Sequence, residues 1–116
     1  MASFEIVYEQ DEDVLEVTFE VFDENFARAI ALNDNIILHT DTDVKIAWGI
    51  TFYSYSRLLE VSETHLDSLR EFEQKDVQRL LAVLDKQPIC NFIEILDTAE
   101  LRALVKAPPL HDLLTS

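Results

Sequence analysis

The residues best suited by type and spacing to do chemistry are His39, Asp41 and Asp43, which stand at alternate positions. An imidazole beside carboxylates forms part of many nucleophilic systems, in which the histidine accepts a proton from a serine or cysteine and the acid orients the histidine. No serine or cysteine in a recognisable nucleophile motif accompanies them. The spacing therefore leaves these three residues as candidates for a small-molecule or enzyme site.

Two acidic clusters suggest a different chemistry. One comprises Asp11, Glu12 and Asp13, and the other comprises Asp41 and Asp43. If both clusters lie at the same end of a sheet, five carboxylates gather there, and Ca²⁺ and Mg²⁺ prefer such oxygen ligands. Neither cluster has the glycine and the ligand ladder of a calcium loop, so the alternative is two solvated turns. We adopt that alternative and expect no metal and no other cofactor.

The remaining reactive residues are three histidines and one cysteine. No two of His39, His65 and His111 are spaced i,i+4, the spacing of a helical metal clamp. Cys90 lies in an apolar stretch, which predicts a buried structural thiol. Gly49 is the single glycine, which excludes glycine-rich phosphate loops and the nucleophile elbow. We therefore expect a protein without catalytic activity.

The elements that must position these residues differ between the two halves of the chain. The chain has 116 residues, 48% hydrophobic and 28% charged, which predicts a single domain over 1–116. Residues 1–60 alternate apolar and polar side chains with period two, which predicts strands. Turn signals every 8–12 residues favour an antiparallel meander of about five strands. We predict these strands near residues 4–8, 15–21, 27–32, 36–40 and 44–53.

Residues 61–116 show helical spacing, so the predicted fold class is α+β with C-terminal helices. Leu66, Leu69 and Phe72 recur at spacing three, and a second apolar set begins at Val77. The two sets are out of phase, which predicts a break or bend near Glu73–Lys75 and two helices, or one bent helix. Short apolar segments over 89–96 and 109–114 predict further C-terminal helices.

Aromatic residues near position 50 suggest a binding surface on the sheet. Trp48 and Phe52 share a strand face with Ile50, so we predict that they lie in the core. Tyr53 and Tyr55 then point to the opposite face beside Gly49, where exposed tyrosines can form a binding platform. The alternative is that the helices cover this face, and the pattern does not decide between the two.

Charge limits the partners. Acidic residues number 23 against 9 Lys and Arg, a net charge of -14, which repels nucleic acid and anionic membranes. A second copy of the chain or a basic protein suits this surface better, and we expect a homodimer held by apolar contacts. The predicted interaction surface comprises Tyr53, Tyr55, Phe92, Leu110 and Leu113. We also expect a cytoplasmic location, since neither a signal peptide nor a long apolar segment is evident.

Two groups of residues in the first half form a recurring pattern of hairpin type. The first group is Tyr8, Asp13, Val14, Leu15 and Val17, and the second is Asp41, Asp43, Gly49 and Ile50. In these residues the first half resembles a family of small bacterial proteins known only as a domain of unknown function, whose pattern opens with the first group and closes with the second. Glu9 and Glu16 depart from the pattern, as does Val44, which stands where the family has the glycine of an Asp-Gly turn. The resemblance implies no enzymatic activity. Some members look like partners of small toxin proteins, which implies an acidic binder.

Two hypotheses follow from the residues together. The first is a non-catalytic protein-interaction module, favoured by the negative charge and by the missing catalytic motifs. The second is a small-molecule binder or enzyme with a pocket between sheet and helices near His39, Asp41 and Asp43.

Overall fold

The first half of the chain folds as a five-stranded antiparallel sheet. The computed structural model describes residues 5–19, 27–61, 63–86 and 89–106. The strands are β1 (Glu5–Glu9), β2 (Val14–Thr18), β3 (Ala27–Asn33), β4 (Ile36–Asp41) and β5 (Ala47–Tyr53). They lie where the period-two pattern predicts them, so the predicted antiparallel sheet of an α+β fold is confirmed.

Alternation along the strands gives the sheet one apolar face. Leu15 and Val17 on β2 pair with Phe52 and Ile50 on β5, and all four side chains are buried. The intervening Glu16 points to the opposite face and is exposed. This division follows from the pleat, which sends successive side chains to opposite sides of a sheet.

The order of the strands differs from the predicted meander. The sheet runs β1-β2-β5-β4-β3, so β5 lies between β2 and β4. Ile50 and Phe52 are 0% exposed, and a meander would have left them on an edge strand. The edge position goes instead to β3, whose Arg28, Ala29 and Ala31 are exposed. β5 is buried at four successive residues, Gly49 to Phe52, and therefore on both of its faces, which suits a strand with a partner on each side.

The second half contains more strand and less helix than predicted. In chain order it comprises α1 (Tyr55–Glu60), β6 (Thr64–His65), a 3₁₀ helix (Asp67–Glu71), α2 (Gln74–Leu84), a 3₁₀ turn (Ile89–Asn91), β7 (Ile93–Asp97) and β8 (Arg102–Val105). The last strands form a second antiparallel sheet in the order β6-β8-β7. Within the described ranges, no helix combines the length and the apolar composition that a membrane crossing requires.

The prediction of C-terminal helices is wrong for residues 93–105. Ala103 and Val105 are buried while the residues between and beside them are partly exposed, which is a strand pattern. Asp97 stabilises the connecting turn, because its Oδ1 accepts hydrogen bonds from the N–H groups of Ala99 (2.9 Å) and Glu100 (3.1 Å). The predicted helix over 109–114 lies outside the described residues. The predicted break near Glu73 is confirmed, since the 3₁₀ helix ends at Glu71 and α2 begins at Gln74.

The covering elements that the structure describes all pack on one face of the large sheet. Leu69, Leu84 and Phe92 belong to the same buried cluster as Ile50 and Phe52. The 3₁₀ helix also contacts β3, and Asn33 Nδ2 donates to Thr64 Oγ1 (3.2 Å) and to the His65 carbonyl (2.9 Å). The covered face is the one that carries Ile50 and Phe52.

The start of β5 is more exposed than a strand over 44–53 predicts. Asp41 Oδ1 accepts hydrogen bonds from the N–H groups of Lys45 (2.7 Å) and Ile46 (3.0 Å), so the turn extends through Ile46 and β5 begins only at Ala47. Ile46 is consequently 49% exposed. Trp48 is only partly buried, and not a fully buried core residue as predicted.

Replacing Gly49 should test the close approach of β2 and β5. A Cβ at this position would lie 2.7 Å from the carbonyl oxygen of Val17, a backbone atom of the neighbouring strand. We expect Gly49→Ala to lower the free energy of unfolding by about 1–3 kcal/mol, as overpacking does elsewhere. Urea denaturation measures the loss. Ala29→Ser, on the exposed edge strand, is the control and should change stability by less than about 0.5 kcal/mol. Equal stability of both variants would contradict the close approach.

Candidate functional site

His39 lies on the uncovered face of the large sheet, away from the helices. Its Nε2 is 3.2 Å from Thr51 Oγ1 on β5. Burial lowers the pKa of His39 from its ordinary value of 6.5, and the nearby carboxylate of Glu16 partly offsets this effect. The imidazole is therefore neutral at pH 7. The hydroxyl group that contacts His39 belongs to Thr51 in the middle of β5, so this contact joins two neighbouring strands of the sheet.

Asp41 and Asp43 do not join His39 in one site. Asp41 ends β4 and closes the following turn through its carboxylate. Desolvation raises the pKa of Asp41, but the hydrogen bonds from Ile46 and Lys45 outweigh it, and the pKa is lowered overall. Asp43 is exposed and lines a small cavity on the covered side of the sheet. The structure places Asp43 at a cavity on the covered side of the sheet and His39 against Thr51 on the opposite face, with a bulge after His39 between them, so a pocket that contains all three residues stays a prediction.

The two acidic clusters lie at opposite ends of the sheet. Residues 11–13 precede β2, whose first residue, Val14, pairs with the last residue of β5, Tyr53. Residues 41–43 precede the start of β5 instead. The five carboxylates therefore do not gather. Among the residues described here, no three His, Cys, Asp or Glu side chains are grouped as metal ligands would be.

Asp13 is the most densely hydrogen-bonded acid of the turns. Its carboxylate accepts hydrogen bonds from Tyr8 OH (2.6 Å), Ser56 Oγ (2.6 Å) and Ser56 N–H (3.0 Å). Its carbonyl accepts one from Tyr55 N–H (3.0 Å). Asp13 thereby satisfies free N–H groups at the start of α1, which is the work of a capping residue. The constellation ties the β1–β2 turn to α1.

The predicted interaction surface is divided by the structure. Tyr53 is 41% exposed on the uncovered face, as predicted. Tyr55 is not on that face, because Ser54 adopts a left-handed φ of 55° and turns the chain towards the core. Its ring packs against Tyr8 and Phe52, with centroid distances of 6.2 and 5.6 Å. Phe92 is 0% exposed and belongs to the core, not to a surface. Leu110 and Leu113 lie outside the described residues.

The side of the sheet that no described helix and no strand of the second sheet covers, called the outer face below, is the candidate interface. Pairing places its side chains in rows across the strands, and the rows differ in charge. The neutral half, on β3, β4 and β5, comprises Ala29, Ala31, Ile37, His39, Gly49 and Thr51. The acidic half, on β1 and β2, comprises Glu5, Glu9 and Glu16, with Val7 between them. Alternation in the sequence predicted this face, but the strand order was needed to show that its charges are segregated.

Two larger cavities lie elsewhere. One of about 520 Å³ is polar and lies between the β3–β4 turn, α1 and the 3₁₀ helix. Asn33 and Asn35 line it, but both side chains already bond to backbone or side-chain atoms of the protein. The other, of about 550 Å³, lies between α2 and the β7–β8 turn. Neither combines the predicted chemical residues.

Comparisons with protein-family models, with curated proteins and with solved structures find no match. The resemblance to the bacterial domain of unknown function therefore stays a prediction.

Removing the Asp13 carboxylate should alter how stability depends on pH. Hydrogen bonds from Ser56 and then from Tyr8 hold the pKa of Asp13 below its ordinary value of 3.8. A lowered native pKa stabilises the fold above the unfolded-state pKa, and this contribution is lost as the pH falls through the native pKa. We expect Asp13→Asn to lower the melting temperature at pH 7. We also expect the melting temperature of the variant to fall less than that of the wild type between pH 5 and pH 2, the range at and below the ordinary aspartate pKa of about 4.

The matched control for this experiment is Asp11→Asn, in the same turn but with none of these contacts. It should keep the melting temperature and the pH dependence of the wild type. Identical pH profiles for Asp13→Asn and Asp11→Asn would show that the Asp13 hydrogen bonds do not contribute in solution.

Proposed function

We propose that the protein is a non-catalytic interaction module that associates with itself through the outer face of its sheet. The observation that carries the proposal is that all described helices and the second sheet pack on the opposite face. Val7 (39% exposed) and Tyr53 (41% exposed) remain accessible on the outer face, as do Ala29 and Ala31. A sheet face of this kind is a surface on which another layer can pack.

The arrangement of reactive groups favours binding over catalysis. His39 contacts a threonine, Asp41 closes a turn, and Asp13 caps a helix. Each of these polar groups is therefore occupied by contacts that serve the fold. The single cysteine suits a reducing compartment, so we expect this module to work in the cytoplasm.

A second copy fits the charge distribution of the outer face. A two-fold axis parallel to the strands and through β4 would place β3 of one subunit over β5 of the other. The contact would then be made by the neutral half, with Ile37 near the axis and the exposed Ala29 and Ala31 opposite Gly49 and Thr51, of which Thr51 is only 6% exposed in the single subunit. Small side chains allow two sheets to approach to about 10 Å. The acidic halves would lie outside the contact and to opposite sides of it.

The size of the contact and the charge determine its strength. Three strands give a smaller interface than the roughly 800 Å² per partner of standard complexes, so we expect micromolar affinity. Two subunits at -14 repel each other, and salt weakens that repulsion. Apolar contact is not screened by salt. Added salt should therefore tighten the dimer.

A basic protein is the second candidate partner, favoured by the acidic half of the outer face. Glu5, Glu9 and Glu16 are all exposed. Binding to them would be electrostatic and would weaken as salt rises, since ionic strength screens exposed charges. The response to salt therefore separates this partner from a second copy.

A charge placed in the neutral half should disrupt the dimer. We expect Ala31→Glu, at an exposed position opposite Ile37, to weaken association at least tenfold, or about 1.4 kcal/mol. Val61→Glu is the matched control, because Val61 is 45% exposed but follows α1 on the other side of the molecule. Sedimentation equilibrium at low and moderate salt measures both.

Three outcomes would contradict the proposal at different points. A monomeric wild type at both salt concentrations would reject self-association. A dimer that dissociates as salt rises would reject the apolar contact as its cause. Equal weakening by Ala31→Glu and Val61→Glu would reject the outer face as the interface.

A further inference from the structure

A small cavity lies on the covered side of the sheet, between the β3 edge and α2. Its volume is about 110 Å³, roughly that of four water molecules in the liquid. Four water molecules contain four non-hydrogen atoms. Covalently bonded atoms lie closer together than separate water molecules, so the same volume accommodates a single molecule of about five to seven non-hydrogen atoms. It is separate from the outer face, because Arg28 at its wall shares the strand side of the buried Ile30.

The walls of the cavity carry two charges of each sign. The sheet side supplies Arg28 from β3 and Asp43 from the β4–β5 turn. The helix side supplies Asp76 and Arg79 from α2. Each wall therefore includes one arginine and one aspartate, and of these four side chains Asp76 is partly buried and the others are exposed.

These charges do not pair with one another. In the described part of the chain, the ion pairs with nitrogen–oxygen distances of up to 4.0 Å all involve other side chains. Asp76 and Arg79 are spaced i,i+3 on one helix, a spacing at which opposite charges commonly meet. Arg70 and Asp67 do meet at that spacing, at 4.0 Å. In the cavity, both signs therefore remain available to a ligand.

The floor of the cavity is apolar. Ile30, Val44 and Leu80 line it, and each is 7% exposed or less. Val44 reaches this position through a left-handed φ of 57°, which is rare for a β-branched residue. The turn thus holds an apolar side chain beneath the four charges.

We propose that this cavity binds a small zwitterionic α-amino acid of the size of glycine, alanine or serine. A carboxylate end can form bidentate hydrogen bonds with a guanidinium, and an ammonium end can bind a carboxylate. A simple anion would satisfy the arginines but face two carboxylates, and a simple cation would face two arginines. A zwitterion satisfies both signs, and the apolar floor suits a side chain no larger than a methyl or hydroxymethyl group.

The test is an NMR titration of the full chain with glycine, L-alanine and L-serine. We expect saturable amide shifts at Val44, Asp76 and Arg79, with a Kd near 1 mM, about −4.1 kcal/mol, as suits so few ligand atoms. N-acetylalanine lacks the ammonium and alaninamide lacks the carboxylate. Each analogue should bind at least tenfold more weakly than L-alanine.

Matched variants test whether the charged side chains of the cavity bind the amino acid. Arg79→Gln and Asp76→Asn should each weaken L-alanine binding at least tenfold, while Arg57→Gln and Asp85→Asn, outside the cavity, should leave it unchanged. The amide spectrum of each variant reports whether it is folded. Ala31→Glu is expected to weaken the dimer without altering the cavity. The same titration of this variant therefore tests binding to the cavity independently of dimerisation.

The proposal is overturned if no amino acid gives saturable shifts at millimolar concentrations. It is also overturned if N-acetylalanine binds as well as L-alanine, which would indicate an anion site, or if alaninamide does so, which would indicate a cation site. Equal effects of the cavity and control variants would place binding elsewhere.

Discussion

Burial of a single face of the five-stranded sheet is the interaction on which the rest of the structure depends. The paired strands β2 and β5 supply the centre of that face, and Phe92 and Leu84 from the second half close over it. Hydrophobic burial is the main favourable contribution to folding. It lets a chain of net charge -14 fold despite its self-repulsion. Because the described covering elements all lie on this face, they leave the outer face open, and the proposed interaction follows from that asymmetry.

A second constraint is the near absence of glycine. In the part of the chain that the structure describes, four non-glycine residues adopt left-handed φ values near 56° at turns and element ends, namely Asp13, Val44, Ser54 and Leu101. Such conformations are costly for residues with a Cβ. Asp13 is compensated by the hydrogen bonds to its carboxylate, and Val44 and Leu101 by burial of their side chains. The structure gives Val44 a backbone conformation that a glycine would adopt at lower cost.

The sequence was most informative where one periodicity was unambiguous. The strands of residues 1–60 could be predicted because apolar and polar residues alternate in them, as around Leu15 and Val17, and this alternation is typical of a half-buried strand and not of a helix. Their order was not, because it depends on which strand is most apolar as a whole. The hairpin of β7 and β8 was missed because short apolar runs such as that at Ile93 suit either helix or strand. The prediction of the sheet face on which Tyr55 lies was wrong because the left-handed Ser54 turns the chain just before it. The small cavity was not predicted because its charged residues are far apart in sequence.

The central claim, that the outer face binds a second copy, is tested most directly by isotope-filtered NOE measurements on a mixture of labelled and unlabelled protein. Such spectra report only contacts between subunits. The proposed dimer predicts intermolecular cross-peaks between the Ile37 methyl groups of the two subunits, and from the methyl group of Ala31 to that of Thr51. Intermolecular cross-peaks confined to residues away from the outer face, such as Leu96 or Val61, would contradict it.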